Sequence, residues 1–143
     1  MALSFAAQVD AWTKKSKRRM TAVLHKAAEK VADEVIDRSP VDTGFLRHSF
    51  QASGEMMPVL RAGNRPPSSA GPNSYGFDTG PINLVVQGIP LGKPIYLAFT
   101  ADYAAFVEYG ANGRAGVGMV RLAAQNWPQI VNAAVAEAKA AVK

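Results

Sequence analysis

A twelve-residue segment, Ser39–Phe50, constrains the fold of this chain more than any other part of the sequence. Pro40 has no backbone N–H group and biases the preceding residue toward an extended conformation. A helix that arrives from the N-terminal side therefore has to end near Arg38. We call this segment the corner, because it predicts a change of direction between a helix and a sheet.

The second half of the corner predicts a tight turn followed by a strand. Asp42 and Thr43 can accept hydrogen bonds from backbone N–H groups two residues on, and Gly44 can adopt a positive φ. Polar and apolar residues then alternate with a period of two, which is typical of a strand with one buried face. The inward positions of this predicted strand are Leu46, His48 and Phe50.

Upstream of the corner, apolar residues recur every three or four positions from about Leu3 to Asp37, which predicts one amphipathic helix. The stripe consists of Phe5, Val9, Trp12, Met20, Val23, Leu24, Ala27, Val31 and Val35. Thirty-five helical residues span about 50 Å, which exceeds the width of a compact domain of this size. We therefore expect part of the stripe to pack on another subunit.

Five positive charges lie in the first half of this helix: Lys14, Lys15, Lys17, Arg18 and Arg19. All of them except Lys17 are predicted on the face away from the apolar stripe. This cluster is compatible with a solvated helix face, with contact to nucleic acid, or with contact to an acidic protein ring. The only nearby aromatic residue, Trp12, belongs to the predicted buried stripe, so base stacking adds no support for nucleic acid. The net charge of +5 favours an acidic partner but is also compatible with solubility alone.

Beyond the corner, the segment from Glu55 to Gly80 is rich in Gly, Pro, Ser and Asn. Loops of this length are uncommon inside compact domains, so we expect a projecting arm that orders against a neighbour, with a flexible insertion as the alternative. Two further strands are predicted at Ile82–Gln87 and Ile95–Phe99. With the strand from the corner they would form a small antiparallel sheet of about three strands.

The remaining segments predict helices. A short helical turn is expected at Asp102–Tyr109, capped by Asp102 and stopped by Gly110. The last segment, about Val117 to Val142, has helical periodicity, with a kink or restart at Pro128 and Asn126 as a possible cap. The 143 residues are too few for two ordinary domains, so the prediction is one α+β domain, residues 1–143, with both long helices on one sheet face.

Asp-Thr-Gly occurs twice, at residues 42–44 and 78–80, and resembles the catalytic motif of aspartic proteases. That chemistry needs two carboxylates that share one proton. Here Phe45 and Pro81 follow the two motifs, where proteases have a small residue. Two independent turns are the better interpretation, and we expect no protease activity.

No other catalytic or metal-binding pattern is present. The chain has no cysteine, and its two histidines, His25 and His48, lack the second group of ligands that a zinc site needs. His48, on an inward strand position, is interpreted as a hydrogen-bonded core residue. Gly88–Lys93 is too short for a phosphate-binding loop, and Pro94 occupies the position of the magnesium-binding hydroxyl. We therefore expect a protein with no enzymatic activity, no cofactor and no metal.

Three features in a fixed order are similar to the tail-completion or neck proteins of long-tailed bacteriophages. They are a helix that ends in Ser39–Ser49, a later segment Tyr103–Gly110, and a closing helix rich in alanine. The first motif is represented by Pro40, Asp42, Thr43, Gly44, Leu46 and Arg47. The second motif is represented by Tyr103, Ala104, Val107, Glu108, Tyr109 and Gly110.

The resemblance implies a small non-enzymatic virion protein, assembled in the host cytoplasm, whose motif residues have fold and assembly roles. It implies a homo-oligomeric ring, six-fold like phage tails, that joins the head connector to the tail. The neighbours would be connector or adaptor proteins on one side and tail terminator or tail tube proteins on the other. The basic cluster would then contact packaged DNA or an acidic ring, and no membrane is involved. The alternative function is a small basic nucleic-acid-binding domain that acts through Lys14–Arg19.

Overall fold

A computed structural model describes residues 2–142 of the chain. The structure is α+β, as predicted, and consists of six helices and four short strands within these residues. In chain order the elements are α1 (Phe5–Arg38), α2 (Phe45–His48), β1 (Phe50–Ser53), α3 (Gly80–Gln87), β2 (Tyr96–Phe99), α4 (Ala104–Tyr109), β3 (Gly110–Ala111), β4 (Arg114–Ala115), α5 (Met119–Gln125) and α6 (Trp127–Ala141).

Helix α1 confirms the prediction of a single long helix that ends at Arg38. The Ser4 hydroxyl accepts a hydrogen bond from the Ala7 N–H group at 3.2 Å and so caps the start of the helix. At the other end, the Ser39 hydroxyl donates to the Val35 carbonyl oxygen at 2.7 Å. Ser39 itself has extended backbone angles, as expected for a residue before proline.

The core forms where one face of α1 meets the sheet, α3 and α5. Its buried residues are Ala28, Ala32, Val35, Ile36, Leu46, Phe50, Ile82, Val86, Phe99, Ala101, Ala104, Met119 and Ala123. Helix α6 packs against α1 in a second, smaller cluster built on Ala27, Ile130 and Ala134. The long helix therefore connects the two clusters, and α6 covers α1 rather than the strands.

The sheet is smaller than predicted, because Ile82–Gln87 is helical. Strands β1 and β2 pair in antiparallel orientation with Phe50 opposite Phe99, which confirms a strand at Ile95–Phe99. Strands β3 and β4 form a separate two-residue hairpin. The third strand predicted at Ile82–Gln87 is wrong: this segment is α3, and its buried residues Ile82 and Val86 are four positions apart on one helical face.

The corner also contains a helical turn in place of the predicted strand start. Residues Phe45–His48 form α2, and the strand begins only at Phe50. Leu46 and Phe50 are both buried, but His48 is exposed, so its interpretation as a core residue is wrong. The Nδ1 atom of His48 lies 3.2 Å from the Gly76 carbonyl oxygen.

The long loop between β1 and α3 lies against its own domain over much of its length rather than projecting from it. The Arg61 N–H group donates to the Thr100 carbonyl oxygen at 3.0 Å, and the Asn64 amide donates to the same oxygen at 2.9 Å. Farther along, Asn73 donates to Asp42 and Tyr75 donates to Thr43 through backbone groups, both at 2.8 Å. The loop therefore closes over the corner of the same chain.

The last two helices confirm the predicted restart near Pro128. Helix α5 ends at Gln125 and α6 begins at Trp127, with Pro128 in its first turn. Neither predicted cap forms. Asn126 makes no side-chain cap and instead donates to the Glu34 carboxylate. The N-cap position of α4 is Tyr103 rather than Asp102, and its side chain makes no capping hydrogen bond. No helix within residues 2–142 has the length and apolar character needed to cross a membrane.

Candidate functional site

The structure brings the two sequence motifs together in one cleft. Residues 40–46 line one wall of this cleft, and Tyr103 and Val107 line the other, around a volume of about 310 Å³. A second depression continues from it between Pro40, Phe106 and the β3–β4 hairpin. We call the first of these the corner cleft. Two motifs that are separated by some sixty residues in sequence therefore form a single structural unit.

Gly44 forms the tightest part of this unit. Its φ is +87°, as predicted, and a Cβ atom at this position would overlap the Tyr75 carbonyl oxygen. The Thr43 hydroxyl accepts a hydrogen bond from the Phe45 N–H group at 3.2 Å, which holds the turn before α2. Backbone groups of the loop bind Asp42 and Thr43 from outside, so the whole turn is fixed by contacts with residues 73–75.

Arg47 ties the corner back to the end of α1. Its Nε and Nη2 atoms both donate to the Ser39 carbonyl oxygen, at 3.2 and 2.9 Å. This carbonyl group is one of those that a helix end leaves without an internal partner. A charged fork that donates twice is stronger than a neutral hydrogen bond, so Arg47 holds α2 against the end of α1.

Glu108, in the second motif, is a buried carboxylate with an exposed fraction of only 5%. It accepts hydrogen bonds from the backbone N–H groups of Val120 and Arg121, both at 2.9 Å, and from the Arg121 side chain at 3.1 Å. The first two donors belong to the first turn of α5, where a negative charge is favourable. Glu108 therefore anchors α5 to α4.

The other second-motif residues divide between the core and the surface. Ala104 is buried, whereas the Tyr109 side chain is 69% exposed and lies under the Arg121 guanidinium, 5.1 Å from the ring centre. Tyr103 is half-buried in the corner cleft. Burial, together with the negative charges of Asp102 and Asp42, raises the pKa of the Tyr103 phenol above its ordinary value.

Sequence reasoning did not find two members of this unit, Arg121 and Tyr75. Arg121 falls on the outer side of the predicted last helix, and nothing in its spacing links it to Glu108. Tyr75 lies in the predicted arm, yet its ring packs edge-on against Phe45 with ring centres 5.0 Å apart. An aromatic residue within a polar loop is the one signal that points to such a contact.

The two Asp-Thr-Gly motifs are turns at separate places, as interpreted from the sequence. Asp42 lines the corner cleft, whereas Asp78 lines a different depression beside Phe50 and Pro81. The Asp78 carboxylate accepts a hydrogen bond from the Gly80 N–H group at 3.0 Å, where α3 begins. Among residues 2–142 no group of three His, Asp or Glu side chains is arranged to hold a metal ion.

The basic cluster lies on the first half of α1. Two of its members have partners: Lys14 pairs with Asp10 at 2.9 Å, and Arg19 donates to the Val142 carbonyl oxygen at 2.9 Å. Among residues 2–142, no carboxylate lies within 4.0 Å of the charged groups of Lys15, Lys17 and Arg18. These three charges are thus available to an external anion.

The apolar stripe on the same half of α1 is not buried within the chain. Phe5 is 81% exposed and Trp12 is 68% exposed, with Val9 and Met20 also exposed. The first buried residue of the helix is Ala27. A run of large exposed apolar side chains on one helical face marks an interaction surface rather than a solvated one.

A family model described as "Bacteriophage HK97-gp10, putative tail-component" matches residues 4–110. The chain belongs to this family. The match includes α1, the corner, the long loop and the whole second motif, and it ends before α5 and α6. No curated protein matches the chain, and no solved structure matches it.

Family membership makes this protein a structural component of a phage tail, and its place is the virion. It confirms the resemblance inferred from the corner and from Tyr103–Gly110. The family description names no enzymatic activity, and the corner cleft has the features of a packed structural joint: a buried turn, a helix-end clamp and a carboxylate bound to a helix start.

Proposed function

We propose that this protein is a neck component that completes the phage tail and joins it to the head connector as a homo-oligomeric ring of six copies. The observation that carries the proposal is the family match over residues 4–110, which assigns the chain to tail components. The resemblance of the corner and of the second motif to tail-completion proteins supports the narrower assignment. We further propose that the ring assembles in the host cytoplasm and binds connector or adaptor proteins on one side and tail terminator or tail tube proteins on the other.

The shape of a single copy supports assembly. Helix α1 is 34 residues long, about 50 Å at 1.5 Å per residue, and its first half extends past the end of α6. That half exposes Phe5 and Trp12, which a lone chain leaves in water. Burial of such side chains against a partner is the main favourable term in association. These exposed apolar side chains therefore favour association with another chain.

The test is a joining assay with heads and tails from a phage that lacks this protein. Addition of the purified protein should convert separate heads and tails into complete particles, counted by negative-stain electron microscopy. Failure to join particles, when the protein is folded and in molar excess, would contradict the neck assignment. Incorporation at another place in the tail, seen by gold labelling, would keep the family role and exclude the narrower one.

We also propose that the basic cluster contacts packaged DNA without sequence specificity. At a net charge of +5 per chain, six copies would bring a net formal charge of about +30 into one ring. Lys15, Lys17 and Arg18 carry this proposal, since no carboxylate within residues 2–142 neutralises them. Binding of duplex DNA should weaken steeply as salt increases. A triple alanine variant at these positions should abolish binding, while equal binding by the variant would refute DNA contact through this cluster.

A further inference from the structure

The first half of α1 continues the same helical face that packs on α6. Helix α6 runs antiparallel to α1: Ala134 packs near Ala27, and Val142 reaches Arg19. Because α6 ends there, α1 residues 5–18 have no α6 residue beside them. At 100° per residue, Phe5, Val9 and Trp12 lie on the same face as Val23 and Ala27, which pack against α6. We call these three exposed residues the α1 stripe.

A second uncovered apolar surface lies beside α6. An open groove of about 500 Å³ runs between the two helices, and we call it the α1–α6 groove. Met20 and Leu24 line it from α1, and Trp127, Val131 and Val135 line it from α6. Its walls extend about 16 Å along α6, from Trp127 to Ala138, whereas the α1 stripe is about 10 Å long. The groove is long enough to receive the stripe.

The stripe and the groove of one copy cannot meet. Both lie on α1, a continuous helix, and Val9 is eleven residues from Met20, or about 16 Å along the axis. A helix without a break cannot fold back over this distance. If the stripe fills this groove, the two surfaces must therefore belong to different copies.

Charge disfavours the simplest alternative, in which two α1 stripes pair with each other. Residues 5–18 contain four cations and one carboxylate, so such a pair would place two strongly positive segments side by side. The α1–α6 groove is lined by two cations, Arg19 and Lys139, and otherwise by apolar side chains. A contact that is offset along α1 therefore places the positive half of one copy beside fewer cations than a contact between two such halves.

We propose that the α1 stripe of one copy docks in the α1–α6 groove of the next copy, and that this is the head-to-tail contact that closes the ring. When two different surfaces of identical chains bind each other, each copy is rotated by the same angle relative to the previous one. The copies form a closed ring when these rotations add up to a full turn. The inference rests on the proposed ring function and names the surfaces that form it. It gives α6 a role in assembly although α6 lies outside the part of the chain matched by the family model.

Disulfide cross-linking tests the contact, because the natural chain contains no cysteine. Three full-length variants are needed: Val9→Cys, Val135→Cys, and the double variant. A disulfide requires Cα atoms within about 7 Å of each other, so the double variant cannot cross-link within one chain. After oxidation with diamide, the double variant should give a ladder of covalent multimers on a non-reducing gel. The mixture of the two single variants should give covalent dimers, and each single variant alone should give none.

The outcomes separate this proposal from the proposed function. Covalent dimers from Val9→Cys alone would show that two stripes pair, and would overturn the inference. A ring with the mass of several copies that gives no ladder in the double variant would also overturn it, while the ring function would survive. Helical circular dichroism of each variant confirms that the monomer is folded before oxidation.

A second measurement uses truncated side chains. Trp12→Ala should raise the concentration at which the protein assembles at least tenfold, without changing the melting temperature of the monomer. The matched control is Leu84→Ala, which removes a side chain that is 74% exposed on α3, outside both surfaces. Leu84→Ala should leave assembly unchanged. Normal self-assembly of Trp12→Ala, combined with a failure to join tails, would show that the stripe binds another protein and would refute the proposal.

Discussion

Replacement of Gly44 by alanine tests whether the corner is as tightly constrained as its geometry indicates. The residue has φ of +87°, and a non-glycine residue pays about 1–2 kcal/mol for this conformation. The new Cβ atom would also overlap the Tyr75 carbonyl oxygen, which is backbone and cannot rotate away. The loop would have to move.

Movement of the loop endangers two backbone hydrogen bonds of 2.8 Å, from Asn73 to Asp42 and from Tyr75 to Thr43. Each is worth about 1 kcal/mol. With the strain, Gly44→Ala should lower the free energy of unfolding by about 3 kcal/mol. For a chain of this length that corresponds to a fall in melting temperature of about 10 °C, measured by circular dichroism or differential scanning calorimetry.

The matched control is Gly63→Ala. Gly63 also has a positive φ, +77°, but a Cβ atom there would meet nothing within 4 Å. This variant should lose only the strain, about 1–2 kcal/mol, or roughly half of the effect at Gly44. Equal melting temperatures for the two variants would refute the role of the Tyr75 contact, and an unchanged melting temperature for Gly44→Ala would refute the whole account of the corner.

Variants at three further positions probe the joint between the motifs. Glu108→Ala removes the acceptor for Val120 and Arg121 and should lower the free energy of unfolding, measured in urea, by about 2–3 kcal/mol. Glu108→Gln should cause a smaller loss. Equal stability of the two variants and the natural protein would contradict the anchoring role of Glu108. Arg47→Lys keeps the charge but loses one of the two donors to Ser39, and should cost about 1 kcal/mol, whereas an increase in stability would contradict the clamp. The raised pKa of Tyr103 means that the unfolded chain releases this proton at lower pH than the folded one, so stability should fall as pH rises above 10. Tyr103→Phe should make this decline shallower, and an identical decline in both proteins would exclude Tyr103 as its source.

The helices at the two ends were predictable because their signals are local. Pro40 removes a donor and restricts the residue before it, so the end of α1 follows from the sequence alone. Pro128 likewise marks the start of α6. In both helices the apolar residues recur every three or four positions over several turns, and this pattern does not fit the two-residue period of a strand.

The secondary structure in the middle of the chain was not predictable, because the spacing of its apolar residues fits both a helix and a strand. Leu46 and Phe50 are separated by four residues, which suits either alternate strand positions or one face of a helical turn; only the exposure of His48 distinguishes the two. Ile82 and Val86 present the same ambiguity in α3. Pro81 and Gly88 favour a helix there, whereas the β-branched residues between them favour a strand.

The contacts that build the site depend on tertiary structure and leave little trace in sequence. Glu108 and Arg121 are thirteen residues apart on different helices, and Gly44 meets Tyr75 across the long loop. Both motifs were recognised through their similarity to a family, whereas the reason for their association became visible only in the corner cleft. The exposed α1 stripe was anticipated in part, because the helix is longer than the domain that supports it.

The central claim is that this tail component works as a closed ring at the neck. Light scattering after gel filtration tests it most directly, on the purified protein alone and after mixing with purified head connector and tail proteins. The account predicts a discrete species of about 91 kDa, which is six copies of the 15.2 kDa chain, alone or bound to a neighbouring ring. A folded protein that remains a 15.2 kDa monomer at every concentration and binds neither partner would contradict it.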